Sequence, residues 1–407
     1  MGTQLENNSS NNLTDNMIPE TKDLDRLELY DYQLPPELIA SQPLPERDAS
    51  RLLMLNRETG EISHHKIADL PQLLRPGDCL VFNNSKVVPA RIKGKRAATG
   101  GKLEGLFLEV TSEGLWRLLC QTRGKLQPGE KIVLEPFERP SQQDTSAETR
   151  TNLTEKTDQN VHTHSHDNAQ VSGSADERLF LTLLEIDEEG IWLAQPHSTE
   201  PAFDLLERFG TVPLPPYIRR KFPTQLDWQR YQTEFAQTPG SVAAPTAGLH
   251  FTARLRERLR ERGVLEAFVT LHVGIGTFRP VTVERLSQHK MHSEWCELSP
   301  ETATFLKNVK AQGGRIVAVG TTSVRTLETA AANGEIRPWR GMTNLFIRPG
   351  YRFHAVDALV TNFHLPRSTL LALVAAFAGL EKIKQAYAEA VKEKYRFYSY
   401  GDAMLIQ

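Results

Sequence analysis

Two histidines carry the most chemical promise in this chain. His250 closes the run VAAPTAGLHF and His272 sits inside FVTLHVGIGTF, both within Val242–Phe278. A neutral imidazole takes up a proton near pH 7, so each is a candidate general base. A buried histidine hydrogen-bonded to backbone fits the same residues, and spacing alone does not separate the two readings. Glycine, threonine and phenylalanine at this density suit a pocket where backbone closes on a ligand. Gly274-Ile275-Gly276 lacks the third glycine and the following helix of a dinucleotide fingerprint.

Further along, Gly320-Thr321-Thr322-Ser323 follows a short apolar run and opens a helical pattern. Such a start offers free N–H groups and hydroxyls to an anion, with Arg325 on the first turn; a plain helix cap fits equally well. Asn362-Phe363-His364 and His292-Ser293-Glu294 each set a histidine among polar neighbours. Glu294 could orient a histidine or accept a proton, or be a solvated edge carboxylate. Asn83 and Asn84 read as a turn after a buried strand. Arg219-Arg220-Lys221, beside Tyr217 and Phe222, makes a basic-aromatic patch, as do Arg348–Phe353 and Lys394–Tyr400. Such patches hold phosphates and stack on unpaired bases, or are solvated faces with buried stems. No P-loop, GxSxG, HExxH or CxxC motif occurs.

Short strands and helices alternate around these residues. Cys79–Phe82 and Arg315–Val319 read as buried strands, with two more over Thr343–Ile347 and Ala355–Thr361. Helices are expected over Leu70–Leu74, Phe203–Phe209, Asp227–Phe235, Ala253–Arg262, Ser299–Ala311 and Val324–Ala332. Ser368 can cap the apolar helix that follows it, and a last helix runs to about Tyr395. Between 83 and 194 the pattern turns to short alternating strands parted by glycine turns, which predicts a small β-barrel. Residues 138–178 interrupt that barrel with polar, low-complexity sequence, read as a disordered loop insertion. Its His162, His164 and His166 fit a solvated loop better than a loosely held metal. Residues 1–28, rich in Asn, Thr and Asp, are expected to form a disordered tail.

The 407-residue length points to two or three domains. With 39% apolar and 24% charged residues, the composition is that of a soluble globular protein. Cys79, Cys120 and Cys296 lie far apart, which argues against a disulfide framework or a zinc site and fits a reducing compartment. Neither a signal pattern nor an apolar run long enough for a bilayer is present, so a cytoplasmic location is expected. Of the net charge of −2, residues 1–28 and 138–178 each carry −4, leaving +6 on the remainder. Local basic surfaces are therefore available.

Nine stretches together resemble one family, the S-adenosylmethionine:tRNA ribosyltransferase-isomerases of queuosine biosynthesis. They are YQLPPELIASQPLPERDASRLL, LVFNNSKVVPARI, VPLPPYI, VAAPTAGLHFT, FVTLHVGIGTFRPV, HSEW, RIVAVGTTSVRTLE, DALVTNFHLPRSTLLALVAAFAG and YRFYSYGDAMLI, in that order from about residue 29 to 406. One departure is Asn83-Asn84-Ser85-Lys86, where the family pattern has arginine last.

The resemblance implies an α/β (α+β) main domain built around a β-barrel, over 29–82 and 200–407, with a smaller all-β barrel domain at 83–199 inserted in it. It implies transfer and isomerisation of the ribosyl group of S-adenosylmethionine onto 7-aminomethyl-7-deazaguanine at the tRNA wobble position. The products would be epoxyqueuosine-tRNA, adenine and methionine. S-adenosylmethionine is then a consumed co-substrate, no metal or other cofactor is expected, and the partner is a tRNA with a GUN anticodon. No membrane or obligate protein partner is implied, and a monomer is expected. By residue, His250, His272 and Glu294 form the catalytic set. Asn83, Asn84, Arg91, Thr246, Phe251, Phe278, Thr322, Ser323, Arg325, Asn362 and His364 form the substrate-binding set. Thr322, Ser323 and Arg325 would hold the methionine carboxylate, and Phe251 or Phe278 would face the sulfonium. Arg219, Arg220 and Lys221 would meet tRNA. The alternatives are an RNA-binding module without catalysis, which the Gly/His/Thr pocket disfavours, and an ordinary methyltransferase.

Overall fold

Apolar runs that alternate in two directions at once organise the main sheet. In Cys79–Asn83 and Ile316–Val319, every residue is buried. Cys79, Val81, Ile316 and Ala318 enter one core, while Leu80, Phe82, Val317 and Val319 enter another. A strand buried on both faces needs no polar alternation and is covered by helices on each side. The computed structural model describes residues 23–137, 177–218, 220, 223–274, 276 and 281–407. Most of the expected 1–28 tail, nearly all of the 138–178 insertion, and Arg219, Lys221 and Phe278 lie outside the described residues.

Nine strands form this sheet in the order Trp339–Thr343, Glu294–Leu298, Leu265–Leu271, Cys79–Asn83, Ile316–Val319, Ala358–Asn362, Ala403–Ile406, Arg51–Leu55 and Ile62–Lys66. The four from Leu265–Leu271 to Ala358–Asn362 run parallel. Ala403–Ile406 is antiparallel to Ala358–Asn362 and parallel to Arg51–Leu55. Helices Pro300–Ala311, Thr321–Ala330, Thr369–Ala378 and Leu380–Lys392 bury their apolar sides on one face. Leu70 of Leu70–Leu73, with Leu255 and Leu259 of Ala253–Glu261, packs on the other.

This corrects the expectation that the larger unit is built around a barrel. The edge strands Trp339–Thr343 and Ile62–Lys66 do not pair with each other. With a helix-covered core on each face, the sheet has no inner lumen to close on. Three further departures concern element limits. Strands Glu294–Leu298 and Ala403–Ile406 were not anticipated, Trp339–Thr343 lies before the expected Thr343–Ile347, and the helix over Thr321–Ala330 starts three residues earlier than expected.

The closed barrel is the smaller unit. Arg91–Arg96, Lys102–Val110, Trp116–Thr122, Ile191–Pro196, Leu179–Ile186 and Lys131–Leu134 pair in succession, and Lys131–Leu134 returns to Arg91–Arg96. Its interior is filled by Phe107, Trp116, Leu118, Leu181 and Trp192, and is capped by Leu205, Leu206 and Phe209 of helix Ala202–Phe209. The barrel's core thus reaches beyond the expected limit at 199.

The expected tail is also shorter than 28 residues. Leu27 is fully buried in the main core, and Asp25 accepts from Ser287 and pairs with Arg285 and Arg348. One buried leucine contributes about 1.5–3 kcal/mol, enough to dock so short a segment.

Candidate active site

The parallel strands end together. Asn83, the Gly320 turn and Asn362 each close one of them, and His272 follows Leu271 at the end of a fourth. Ligands of open α/β sheets bind outside such carboxyl ends. Here a cavity of about 300 Å³ lies there, lined by 243–247, Val273, Glu294, 320–322, Arg325, 361–365 and three tyrosines, Tyr217, Tyr231 and Tyr398.

One end of the cavity is a helix start. Gly320 stands at φ 89°, a left-handed conformation that glycine adopts without strain, and turns the chain from strand into Thr321–Ala330. No side chain caps this helix, so its first N–H groups remain unspent where Thr321 and Thr322 face the cavity. Thr322 Oγ1 accepts from Asn83 Nδ2 at 3.1 Å. Asn83 also bridges both backbone groups of Leu271, at 3.0 Å each, and so locks two strand ends together. Ser323 turns away, donating to Val319 O at 2.9 Å. Arg325 lines the cavity but is ion-paired to buried Glu294, and its remaining nitrogens donate to Leu345 O at 3.1 Å and Thr343 O at 3.4 Å. Glu294 also accepts from Gly274 N at 2.8 Å.

On the neighbouring strand, where Val360 pairs with Val319, Asn362 is almost wholly buried. Its Nδ2 faces Tyr398 O at 3.1 Å, Asp402 O at 3.4 Å and His250 Nε2 at 3.2 Å. Two carbonyl neighbours require the nitrogen on that side. His250 Nε2 must then accept, which puts the ring proton on Nδ1, 3.0 Å from Ser50 Oγ. Burial pushes the His250 pKa down to about 4, so the ring is neutral. His250 stands behind the cavity wall rather than in it. His364 does line the cavity; its Nε2 meets Thr361 Oγ1 at 2.8 Å, and burial lowers its pKa to about 3. Tyr398 holds φ 72°, uncommon for a bulky residue, and its ring lies 4.7 Å from that of Tyr217.

Beyond Glu294 opens a wider groove of about 700 Å³ between sheet and barrel, lined among others by His272, Trp295, Lys290, Phe107 and Glu189. His272 stacks on Trp295 with ring centroids 5.1 Å apart, and its Nδ1 meets Ser85 Oγ at 2.8 Å. Burial lowers its pKa as well. Gly240 backs the ring at φ 145°, where a Cβ would come within 2.8 Å of the imidazole. Gly240→Ala is therefore expected to displace His272 and to cost about 1–3 kcal/mol in thermal unfolding. The groove is larger, but the smaller cavity holds the uncapped helix start and the carboxyl-edge side chains.

Of the sequence-chosen residues, Thr246, Thr322, Arg325, Asn362, His364 and Glu294 meet at the cavity, while His250 supports it from behind and His272 lies across Glu294. Several others do not. Phe251 is a core residue, 4.9 Å from the Phe82 ring, because the 3₁₀ turn Thr246–His250 points it into the second sheet face. Arg91 sits on the barrel paired with Glu104. Asn84 accepts from Thr270 Oγ1 at 2.7 Å as a plain strand-end tie. Arg220 is spent on fully buried Asp227 and on Ser41 O. Lys86, in place of arginine, is exposed on Ser85–Val87. The aromatic lining was missed. Tyr217 and Tyr398 lay in VPLPPYI and YRFYSYGDAMLI, where they read as basic-aromatic surface.

The arrangement defines a class first: an α/β protein with a preformed small-molecule cavity at the carboxyl edge of its parallel strands, the arrangement of an enzyme. The chain belongs to the queuosine biosynthesis protein family, whose model matches residues 27–406. It is 48% identical over 382 residues to the S-adenosylmethionine:tRNA ribosyltransferase-isomerase of Symbiobacterium thermophilum, covering 94% of this chain and 99% of that one. The enzyme of the same name from Moorella thermoacetica is 48% identical over 385 residues, again with 94% and 99% covered. A crystal structure of an S-adenosylmethionine tRNA ribosyltransferase from Thermotoga maritima is 36% identical, covers 93% of this chain and 100% of that one, and gives a TM-score of 0.48.

Proposed function

We propose that the protein is an S-adenosylmethionine:tRNA ribosyltransferase-isomerase. It moves the ribosyl group of S-adenosylmethionine onto 7-aminomethyl-7-deazaguanine at the wobble position of a GUN-anticodon tRNA, releasing adenine and methionine. The observation that carries this reading is convergence. VAAPTAGLHFT, RIVAVGTTSVRTLE, DALVTNFHLP and YRFYSYGD, distant in the chain, all contribute to one cavity. S-adenosylmethionine is a consumed co-substrate in this proposal, with no metal. The barrel is read as an inserted second domain, and the location as cytoplasmic. Among the described residues no helix is long and apolar enough to cross a membrane.

The cavity combines free N–H groups, which suit a charged group, with aromatic side chains, which suit a flat or cationic one. Unspent N–H groups at Thr321 and Thr322 suit the methionine carboxylate. Because Arg325 is neutralised by Glu294, the helix start takes the larger share. Tyr217 and Tyr398, rather than Phe251, are read as presenting rings to the sulfonium, a contact worth about 0.5–2 kcal/mol. The sulfonium acidifies the C5′ protons, and a base starts the reaction there. We assign that role to His272, a neutral imidazole that the ribose meets where it extends past Glu294 into the groove, and read that groove as the approach of the tRNA base.

The test is single-turnover adenine release from S-adenosylmethionine with a GUN-anticodon tRNA. Adenine release by the wild type is expected, and His272→Ala should slow it roughly 10²–10⁴-fold. Release of S-adenosylhomocysteine instead would mark a methyltransferase, and binding without turnover an RNA-binding module. An unchanged rate in His272→Ala would remove that residue from the chemistry.

A further inference from the structure

His272 is held at one ring nitrogen and left free at the other. Its Nδ1 meets Ser85 Oγ at 2.8 Å, while Nε2 takes no hydrogen bond among the described residues, on a ring that lines the groove. One side chain sets the backbone on both sides of this contact. Asn83 Oδ1 accepts from Ser85 N at 3.1 Å and from Leu271 N, next to His272, at 3.0 Å. Trp295 stacks on the imidazole with planes 18° apart, and its carbonyl accepts from His272 N at 2.9 Å. The missing side chain at Gly240 keeps Nε2 clear, because a Cβ there would come within 2.8 Å of it. Turning the ring over would set Cδ2 against the Ser85 hydroxyl. Ser85 is fully buried, so that hydroxyl would lose its partner with no water to replace it.

A serine hydroxyl on an imidazole is also the arrangement of an activated nucleophile. Here the serine has no exposed surface, so no substrate reaches its oxygen, and the hydroxyl acts on the ring alone. Its effect comes with proton uptake. When C5′ gives its proton to Nε2, the electron pair stays on carbon beside the sulfonium, and the ring becomes an imidazolium with a second N–H at Nδ1. A hydroxyl turns freely to accept that N–H. A hydrogen bond from a charged donor is roughly twice as strong as a neutral one, so the contact tightens as the proton arrives. We propose that Ser85 is a positioning residue for the reaction: it accepts from Nδ1–H of the His272 imidazolium and reserves Nε2 as the nitrogen that takes the proton. This rests on the reading of His272 as the base and deepens it.

The experiment pairs single-turnover adenine release, at saturating S-adenosylmethionine and GUN-anticodon tRNA, with calorimetric binding of S-adenosylmethionine, whose stoichiometry gives the folded fraction. Ser85→Ala should slow release about 10- to 100-fold while its Kd for S-adenosylmethionine stays within about threefold of the wild type. Ser85→Cys nearly keeps the shape of the side chain, but sulfur accepts weakly, so it should slow release almost as much. A role in packing alone predicts the Cys variant at the wild-type rate. In a His272→Ala background, Ser85→Ala should cost less than about threefold more, because the ring through which it acts is gone. A wild-type rate in Ser85→Ala or in Ser85→Cys overturns the proposal, and so does undiminished slowing in the His272→Ala background. If His272→Ala by itself is slow in those cases, the base reading stands and this assignment alone falls. An unchanged rate in His272→Ala removes both.

Discussion

Replacing Arg325 by methionine is expected to destabilise the protein by about 3–5 kcal/mol, read from urea unfolding as a lower midpoint at unchanged slope. The side chains of Arg325 and Glu294 are only 7% and 6% exposed. The substitution leaves a carboxylate in the interior with one backbone N–H from Gly274 as its remaining partner, and it strips donors from the carbonyls of Leu345 and Thr343. Those losses act on three strands or loops at once, because Glu294 opens one strand, Thr343 closes its neighbour and Arg325 rides the helix behind them. A Glu294→Met/Arg325→Met double variant should recover at least half of the loss, since removing both charges also removes the desolvation penalty. A single variant within about 1 kcal/mol of wild type would mean that water reaches the pair. Glu294 of this pair lines both cavity and groove, so the double variant should alter the wall between the two spaces.

This pair also explains where sequence reading stopped. Glu294–Leu298 alternates correctly for a strand, with Glu294, Cys296 and Leu298 inward, but it begins on a charged residue. Only Arg325, 31 positions later, makes that inward carboxylate tolerable, and no local pattern announces a partner so far away. Ala403–Ile406 was missed for another reason: four buried residues at a chain end carry no period that separates strand from helix. Cys79–Asn83 and Ile316–Val319 were legible because glycine and turn residues bound them. The site followed the same division. His364, Asn362 and Thr322 were legible as strand-end residues, and strand ends meet at one edge. Phe251 and Tyr398 were misassigned because facing depends on a 3₁₀ turn and on a positive φ that composition does not encode. Arg220, expected to meet tRNA, is ion-paired to Asp227, seven residues on, which also accepts from Tyr400 at the far end of the chain, a pairing that no local pattern announces.

Acid should destabilise the protein before its carboxylates titrate. Burial holds His250 at about 4 and His364 at about 3, against about 6.5 in the unfolded chain. Between those limits the unfolded state binds more protons, so stability is complete above pH 6.5 and falls as pH drops toward 4. From pH 6.5 to 5 each of the two rings should remove about 2 kcal/mol. His272, also lowered, adds to the same slope. Asp402 acts the other way, because burial raises its carboxyl and favours the folded state as pH falls through its range. Urea unfolding at pH 7 and pH 5 measures the net effect, and His250→Gln should flatten the slope by about one ring's share while keeping an acceptor for Asn362. A wild type with equal stability at the two values would mean that these imidazoles are hydrated. The functional consequence follows from the same protonation states. His250 already spends its Nε2 lone pair on Asn362, and both buried rings stay neutral from pH 5 to 8. An acid limb in adenine release within that range would then belong to a less buried group, and it should vanish in His272→Ala while surviving in His250→Gln.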